Sequence, residues 1–484
     1  MSTLTLPKNR DLYYGGAWHA PKDGQTRQTA SPATGERFGP VAVGSGEDMA
    51  QAIAAAKAAF RGWRDTPPRH RAAALKIAAR ILRENKAELA KLDAAESGNP
   101  VSAMLKDVDM AADGLDFFAG LVTEIKGESI PMGPDAVNFT QREPLGVVGR
   151  IIAYNHPLMF CGAKMAAPLA AGNTVIIKPA EQAPLSVLRF FELLEGVFPP
   201  GVLNCVNGGV EAGKVLAGHP DVAMVGLIGS VPTGRAVMAE AAKTVKPVML
   251  ELGGKNALIA CADVDIDKVA QGIVAGMNFS WCGQSCGSTS RALIHAEIYD
   301  AVIARVVEKL AAFRPGDPTD PQTTMGALIS RAQYEKVLRY IEIGKTEGAR
   351  LVAGGGPADV AGLEKGNFVA PTIFADVTPD MTIAREEIFG PVLSILKWTD
   401  EDKAIEITNS VEYGLTCSIW TRDLVRAHRM AQRADAGFVW INKAGPHFLG
   451  APFGGVKQSG IGREECLGEM LSFTREKNIH IALD

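Results

Sequence analysis

Cys286 stands in the run Trp281-Cys282-Gly283-Gln284-Ser285-Cys286-Gly287-Ser288, a thiol set among small residues. Such neighbours leave room for a substrate to reach the sulfur and let a backbone N–H face a developing oxyanion, as a nucleophile requires. Most free cysteines are inert packing. The case for Cys286 therefore depends on its company, which lies at the ends of apolar runs elsewhere in the chain. Glu251 follows Val248-Met249-Leu250 and precedes Gly253-Gly254, so a carboxylate at a strand end beside flexible glycines can swing towards a water, although a solvated turn would look the same. Asn155, ahead of His156-Pro157, offers an amide N–H₂ to an oxyanion or is simply a turn asparagine before proline.

Two other stretches suit a nucleotide. Lys178-Pro179-Ala180-Glu181 closes a second apolar run, and an ammonium and a carboxylate three residues apart can hold a pair of hydroxyls from two sides. Gly229-Ser230 and Thr233-Gly234 open a helix after a strand, where free N–H groups favour a pyrophosphate. This turn lacks the ordinary GxGxxG spacing and is weak by itself.

The elements that must position these residues alternate in a regular way. Residues 11–45 read as turn-rich and strand-poor; from Asp48 the apolar positions Met49, Ile53, Ala56 and Phe60 recur at helical spacing behind the capping residues of 45–48. Further helices are expected over 69–92 and 101–122, and residues 127–142 read as an extended excursion. From Gly146 short apolar runs at 147–153, 174–178, 202–206, 222–228 and 245–250 alternate with helical stretches, the mark of parallel strands with crossover helices. The expected result is an α/β, Rossmann-like doubly wound sheet with ligands beyond the carboxyl ends of its strands. After Gly253-Gly254 the alternation restarts at 256–260 and 292–294, with helices over 266–277, 299–313, 331–346 and 401–410 and strands at 391–397, 416–420 and 438–441, giving a second α/β domain. The tail 471–482 partly alternates and reads as an edge strand.

Composition bounds the function classes. With 484 residues, 47% hydrophobic and 21% charged, the chain can bury two or three cores. A net charge of −4 gives no electrostatic reason for nucleic acid or an anionic membrane as partner, so a small molecule is the default ligand. The seven cysteines have no CxxC pairs, so neither a disulfide framework nor a metal site follows, and reduced thiols in the cytoplasm are expected. The N-terminus has no signal-peptide core, and the uncharged run 269–290 is too interrupted to span a membrane.

Taken together, Asn155, Lys178-Pro179-Ala180-Glu181, Gly229-Ser230 with Gly234, Glu251-Leu252-Gly253-Gly254-Lys255, Gly283-Gln284-Ser285-Cys286, Glu386-Glu387-Ile388-Phe389-Gly390-Pro391 and the stretch from Pro452 to Glu464 resemble the aldehyde dehydrogenase superfamily, in the right order. The resemblance implies a cofactor domain of 1–122 and 145–253, a catalytic domain of 254–446, and a small β bridging element of 123–144 and 467–484 that pairs subunits into a homodimer or homotetramer. Residues 447–466 would return to the cleft. It implies Cys286 as nucleophile, Asn155 with the Cys286 N–H as oxyanion holder, Glu251 as the base for water, and Glu464 either as a secondary carboxylate near the proton route or in a structural role. Glu387 and Phe389 would place the nicotinamide end of the cofactor, and Lys178 and Glu181 its adenosine ribose. A carboxylate at Glu181 would repel a 2′-phosphate, which favours NAD over NADP.

The substrate pocket implied by the resemblance is His156, Met159, Phe160, Ser280, Ser285, Gly287, His447 and Phe453, without a Lys or Arg to clamp a distal carboxylate. The sequence here looks most similar to bacterial members that oxidise aromatic aldehydes. Cys282 reads as packing rather than as a redox partner for Cys286. The competing readings are a CoA-acylating semialdehyde dehydrogenase, for which a water-activating Glu251 would be superfluous, and a non-catalytic descendant, which should have lost Cys286, Asn155 or Glu251.

Overall fold

The computed structural model describes residues 4–483. Five short, buried strands run parallel in the spatial order Leu203–Cys205, Thr174–Lys178, Val147–Ile151, Val222–Ile228, Val248–Glu251. The chain order reverses between Val147–Ile151 and Val222–Ile228, the switch point at which doubly wound sheets open a crevice. Antiparallel strands close both edges, Leu12–Tyr14 on one side and Gly460–Ile461 on the other. Both faces of the parallel strands are covered, which is why they read as continuous apolar runs rather than as alternating ones.

Helices Pro157–Ala170, Leu185–Leu193, Val210–Gly218 and Val231–Ala242 make the crossovers. Helix Gly46–Arg64 begins where its capping residues place it: Ser45 Oγ accepts the Asp48 N–H at 3.2 Å and the Asp48 carboxylate accepts the Ser45 N–H at 2.9 Å.

Two expectations are corrected here. The single helix over 69–92 is two, Pro68–Glu84 and Lys86–Ser97. Asn85 breaks it, because its side-chain amide and its backbone N–H both donate to the Ile81 carbonyl, a local bond that competes with helix continuation. The stretch 11–45 is not strand-poor: it holds Leu12–Tyr14, Ala17–His19, Thr26–Ala30 and Arg37–Ala42. These strands are short, and Gly15-Gly16, both at positive φ, form the tight hairpin turn that looked like loop composition.

A second sheet of seven strands runs in the order Arg350–Ala353, Thr372–Ala375, Val392–Trp398, Arg291–His295, Ala257–Ala260, Thr416–Trp420, Phe438–Ile441, all parallel except the first. The excursion after residue 127 and the tail form a third sheet, in which Thr474–Ala482 pairs antiparallel with Ala136–Pro144 along its whole length and Ser129–Ile130 pairs on the other side. The fold is thus α/β, a Rossmann-like sheet joined to a second parallel sheet with a small β element. Among the described residues no helix is long and apolar enough to cross a membrane.

Candidate active site

At the switch point a cavity of about 190 Å³ gathers Asn155, Glu251, Cys286, Glu387 and Phe389 with Gly229 and Ser230. Asn155 follows strand Val147–Ile151, Glu251 ends Val248–Glu251, and Cys286 precedes Arg291–His295, so the groups come from both large sheets. Three polar side chains hold the loops in place. Asn99 donates to the Asn155 carbonyl at 2.9 Å. Asn256 donates to the carbonyls of Cys286 (2.7 Å) and Ser288 (2.9 Å) while accepting the Thr416 N–H. Gln284, buried, accepts the Ile329 N–H at 3.1 Å. Gly283 must be glycine: φ is +66°, and a Cβ there would lie 2.2 Å from the Gly390 carbonyl oxygen.

The Glu251 carboxylate is buried, and neither of its oxygens has a hydrogen-bond partner among the described residues. Burial, reinforced by the nearby Glu464 charge, pushes its pKa well above the usual carboxylate range. The same forces act on Cys286, whose thiol is raised to about 12 by burial and by the carboxylates of Glu251 and Glu387. The resting residue is therefore a thiol, and its proton needs an acceptor inside the cavity.

Of the two roles open to Glu464, its surroundings fit the structural one. Its two oxygens are held by Arg150 Nη2 at 2.5 Å and Lys164 Nζ at 2.8 Å, all three side chains buried. Burial alone would raise its pKa, but the two cations outweigh it and hold it at about 2. A carboxylate locked in this way is not free to ferry protons; it pins the returning segment to the cofactor sheet and acts on Glu251 through its charge.

Glu387 is also deep, and its Oε1 accepts the Gly254 N–H at 3.0 Å. Burial raises it while that hydrogen bond opposes the rise. A Cβ on Gly253 would fall 2.2 Å from Glu387 Oε2, so the bare backbone is what leaves room for this carboxylate. Phe389, at φ 56°, sets its ring edge-on to Tyr154 with centroids 5.9 Å apart.

A second cavity, also about 190 Å³, contains Lys178, Glu181, Gly209, Gly213 and Thr233. Glu181 is ion-paired to Arg27 at 2.7 Å. Gly234 lines neither cavity; a Cβ there would come within 2.6 Å of Leu252, so this glycine lets the helix pack on its neighbour. Ser230 caps that helix, its hydroxyl accepting the Thr233 N–H at 3.4 Å. These residues fit a dinucleotide: a cation and a carboxylate for one ribose, glycines that leave the cavity open, a helix N-terminus between, and the buried Glu387 for a second ribose.

The expected pocket residues fall into two ring groups. His156 meets Phe160 edge-on at 5.4 Å and Trp281 at 5.5 Å, and its Nδ1 lies 2.7 Å from the Asp107 carboxylate. Met159 is half-buried against the same apolar cluster. His447 stacks on Phe453 at 3.7 Å, and a Cβ on Gly287 would lie 4.0 Å from both His447 Nε2 and Ser285 Oγ. Ser280 is half-buried, with its carbonyl accepting the Gly326 N–H. Cys282 is buried and directs its thiol to the Gly326 carbonyl.

Several residues of the site had no distinguishing sequence signal. Gln333 donates to the carbonyls of Ile388 (3.1 Å) and Phe389 (2.7 Å), and Lys336 to that of Glu387 (3.2 Å). Both line the reactive cavity from helix Arg331–Thr346. In the sequence Gln333 is indistinguishable from an N3 residue behind the N-cap Ser330, which it also is. Asp107 was hidden on a helix, 49 positions from His156.

A doubly wound sheet with a cavity at its switch point, joined to a second parallel sheet whose preceding loop brings Cys286 to that cavity, is an α/β architecture with room for a dinucleotide beside a thiol. The chain belongs to the aldehyde dehydrogenase family, whose family model matches residues 18–479. It is 54% identical to the aldehyde dehydrogenase tropH of Talaromyces stipitatus, over 99% of this chain and 94% of that protein. Among solved structures, an NAD+ complex of an aldehyde dehydrogenase from Bacillus cereus matches with a TM-score of 0.95 and 38% identity, covering 99% of this chain and 97% of the other. A betaine aldehyde dehydrogenase from Staphylococcus aureus in complex with NAD+ matches with a TM-score of 0.96 and 33% identity, covering 98% and 95%. The chain is an aldehyde-oxidising enzyme of the class that uses NAD(P).

Proposed function

We propose that the enzyme oxidises an aromatic aldehyde to its carboxylic acid with NAD through a thioester on Cys286. The observation that carries this reading is the pairing, in one cavity, of the Cys286 thiol with the buried, unpartnered carboxylate of Glu251. Cys286 Sγ adds to the aldehyde carbon as its proton passes to a water in the cavity and on to solvent, and the oxyanion is held by the Asn155 amide and the Cys286 N–H. NAD, when bound, supplies the hydride acceptor that turns the adduct into a thioester. Glu251 then takes a proton from water as the water attacks the thioester carbon, releasing the acid and restoring the thiol.

An orphaned base for water favours hydrolysis over transfer to CoA. The rings of His156, Phe160, Trp281, His447 and Phe453 support an aromatic substrate, and Glu181 supports NAD over NADP. NADH formation across aromatic, short aliphatic and amino aldehydes, with NAD and NADP in parallel and with and without CoA, tests each part. Acid formation from aromatic aldehydes with NAD and without CoA is expected. A strict CoA requirement, a preference for NADP, or a thousandfold preference for betaine aldehyde would each remove the corresponding part.

A further inference from the structure

The chemistry just described makes no use of the polar edges of His156 and Trp281, and both are held in place at some energetic cost. Asp107 is almost completely buried, a placement that is unfavourable for a carboxylate unless a partner compensates it. That partner is His156 Nδ1 at 2.7 Å, so Nδ1 carries a hydrogen and donates it. Burial alone would lower the imidazole's pKa, but Asp107 outweighs it and holds it above the ordinary value. Nε2 makes no hydrogen bond among the described residues, and the side chain keeps 16% exposure.

Beside it, with ring centroids 5.5 Å apart, the Trp281 indole N–H is buried with no hydrogen-bond partner among the described residues. An unsatisfied buried donor is destabilising and is rare in native proteins. Both residues are tied to the reacting groups by the chain. His156 follows Asn155, and Trp281 ends the turn Phe279–Trp281 that leads to Cys286. Phe160 meets His156 edge-on, so three rings lie together with two polar atoms, His156 Nε2 and the Trp281 N–H, left over.

We propose that His156, positioned by Asp107, and the Trp281 indole recognise an oxygen on the substrate remote from the aldehyde carbon, so that the enzyme selects hydroxylated aldehydes over their unsubstituted parents. The proposal rests on the aldehyde-oxidising reading of Cys286 but not on the aromatic one. In the neutral imidazole Nε2 accepts from a hydroxyl; in the imidazolium it donates to a phenolate or carbonyl. The indole N–H donates in either case.

The test is a set of matched pairs with the full-length enzyme: benzaldehyde against 2-, 3- and 4-hydroxybenzaldehyde, and hexanal against 6-hydroxyhexanal. Wild type should favour at least one hydroxylated member by about tenfold or more in kcat/KM, the size of one hydrogen bond to a charged or oriented group. The ratio should fall to about twofold or less in His156→Phe and part-way in Trp281→Phe. In Asp107→Asn it should fall through KM of the hydroxylated member rather than through kcat, a split that a merely structural carboxylate would not give. Turnover of parent and hydroxylated aldehydes within about threefold of each other by the wild type in both series overturns the proposal, as does a ratio retained in His156→Phe. The wild-type comparison needs no variant to fold. If only the hexanal pair is oxidised, the aromatic reading fails and oxygen recognition is judged on that pair.

Discussion

Glu251 and Glu464 are neighbouring carboxylates with opposite environments, and that contrast sorts their roles. Glu251 has no partner and a raised pKa; Glu464 is clamped by two cations and stays charged. Removing the base should stop the reaction after the hydride has left. We expect Glu251→Gln to give a burst of NADH equal to the active sites and then a steady rate lower by about 10²–10⁴, the usual contribution of a general base. A proportional loss with no burst would place Glu251 before the hydride step. In the proposed mechanism the base works as the carboxylate, so hydrolysis should be lost as pH falls through the raised pKa of Glu251. The acid limb of kcat should therefore lie well above the ordinary carboxylate value wherever hydrolysis limits the rate. The Cys286 thiol, held at about 12, points the same way: alkylation of the cofactor-free enzyme should keep accelerating through the alkaline range without levelling near the free-thiol value.

At the scale of elements, the sequence pattern was legible wherever burial is uniform. Val147–Ile151, Thr174–Lys178 and Val222–Ile228 are buried on both faces and read as apolar runs, and Ser45 and Asp48 announce the helix they cap. It was illegible where one local bond decides, as at Asn85, or where a residue's partner is distant in the chain. Gln333 reaches carbonyls 55 and 56 positions away and Asp107 an imidazole 49 positions away, and no spacing rule spans such distances. Glu251 and Asn155 were visible because one ends and the other follows a strand of the doubly wound sheet, and Cys286 because it stands among small residues just ahead of Arg291–His295.

Two substitutions test what the elements contribute. Gln333→Ala frees the carbonyls of Ile388 and Phe389, next to Glu387 in the chain, and KM for NAD should rise by about tenfold, the worth of one or two hydrogen bonds. Glu464→Gln leaves Arg150 and Lys164 buried without their counter-charge. It should cost about 3–5 kcal/mol, read as a lower urea midpoint, because breaking a buried pair strands the remaining charge. An unchanged midpoint would mean that the returning segment is pinned by other contacts.

For the whole molecule, the third sheet is the feature that intramolecular packing explains least. Thr474–Ala482 pairs with Ala136–Pro144 from Thr474–Pro144 to Ala482–Ala136, joining residues 330 to 346 positions apart, yet among the described residues the sheet has three strands. It leaves Ile130, Met132, Val137, Ile481 and Leu483 exposed. Thr474–Ala482 is moreover an edge, with unpaired backbone groups along one side, and proteins ordinarily cover or break such an edge. A second copy of the chain is the cover that also suits the apolar patch, since symmetric association places like surfaces together. We therefore expect a dimer or larger assembly by light scattering at micromolar concentration. Val137→Asp combined with Ile481→Arg should shift it to monomer while leaving both cofactor and reactive cavities intact, because neither residue lines them. A wild-type monomer under those conditions would leave the exposed sheet to some other partner.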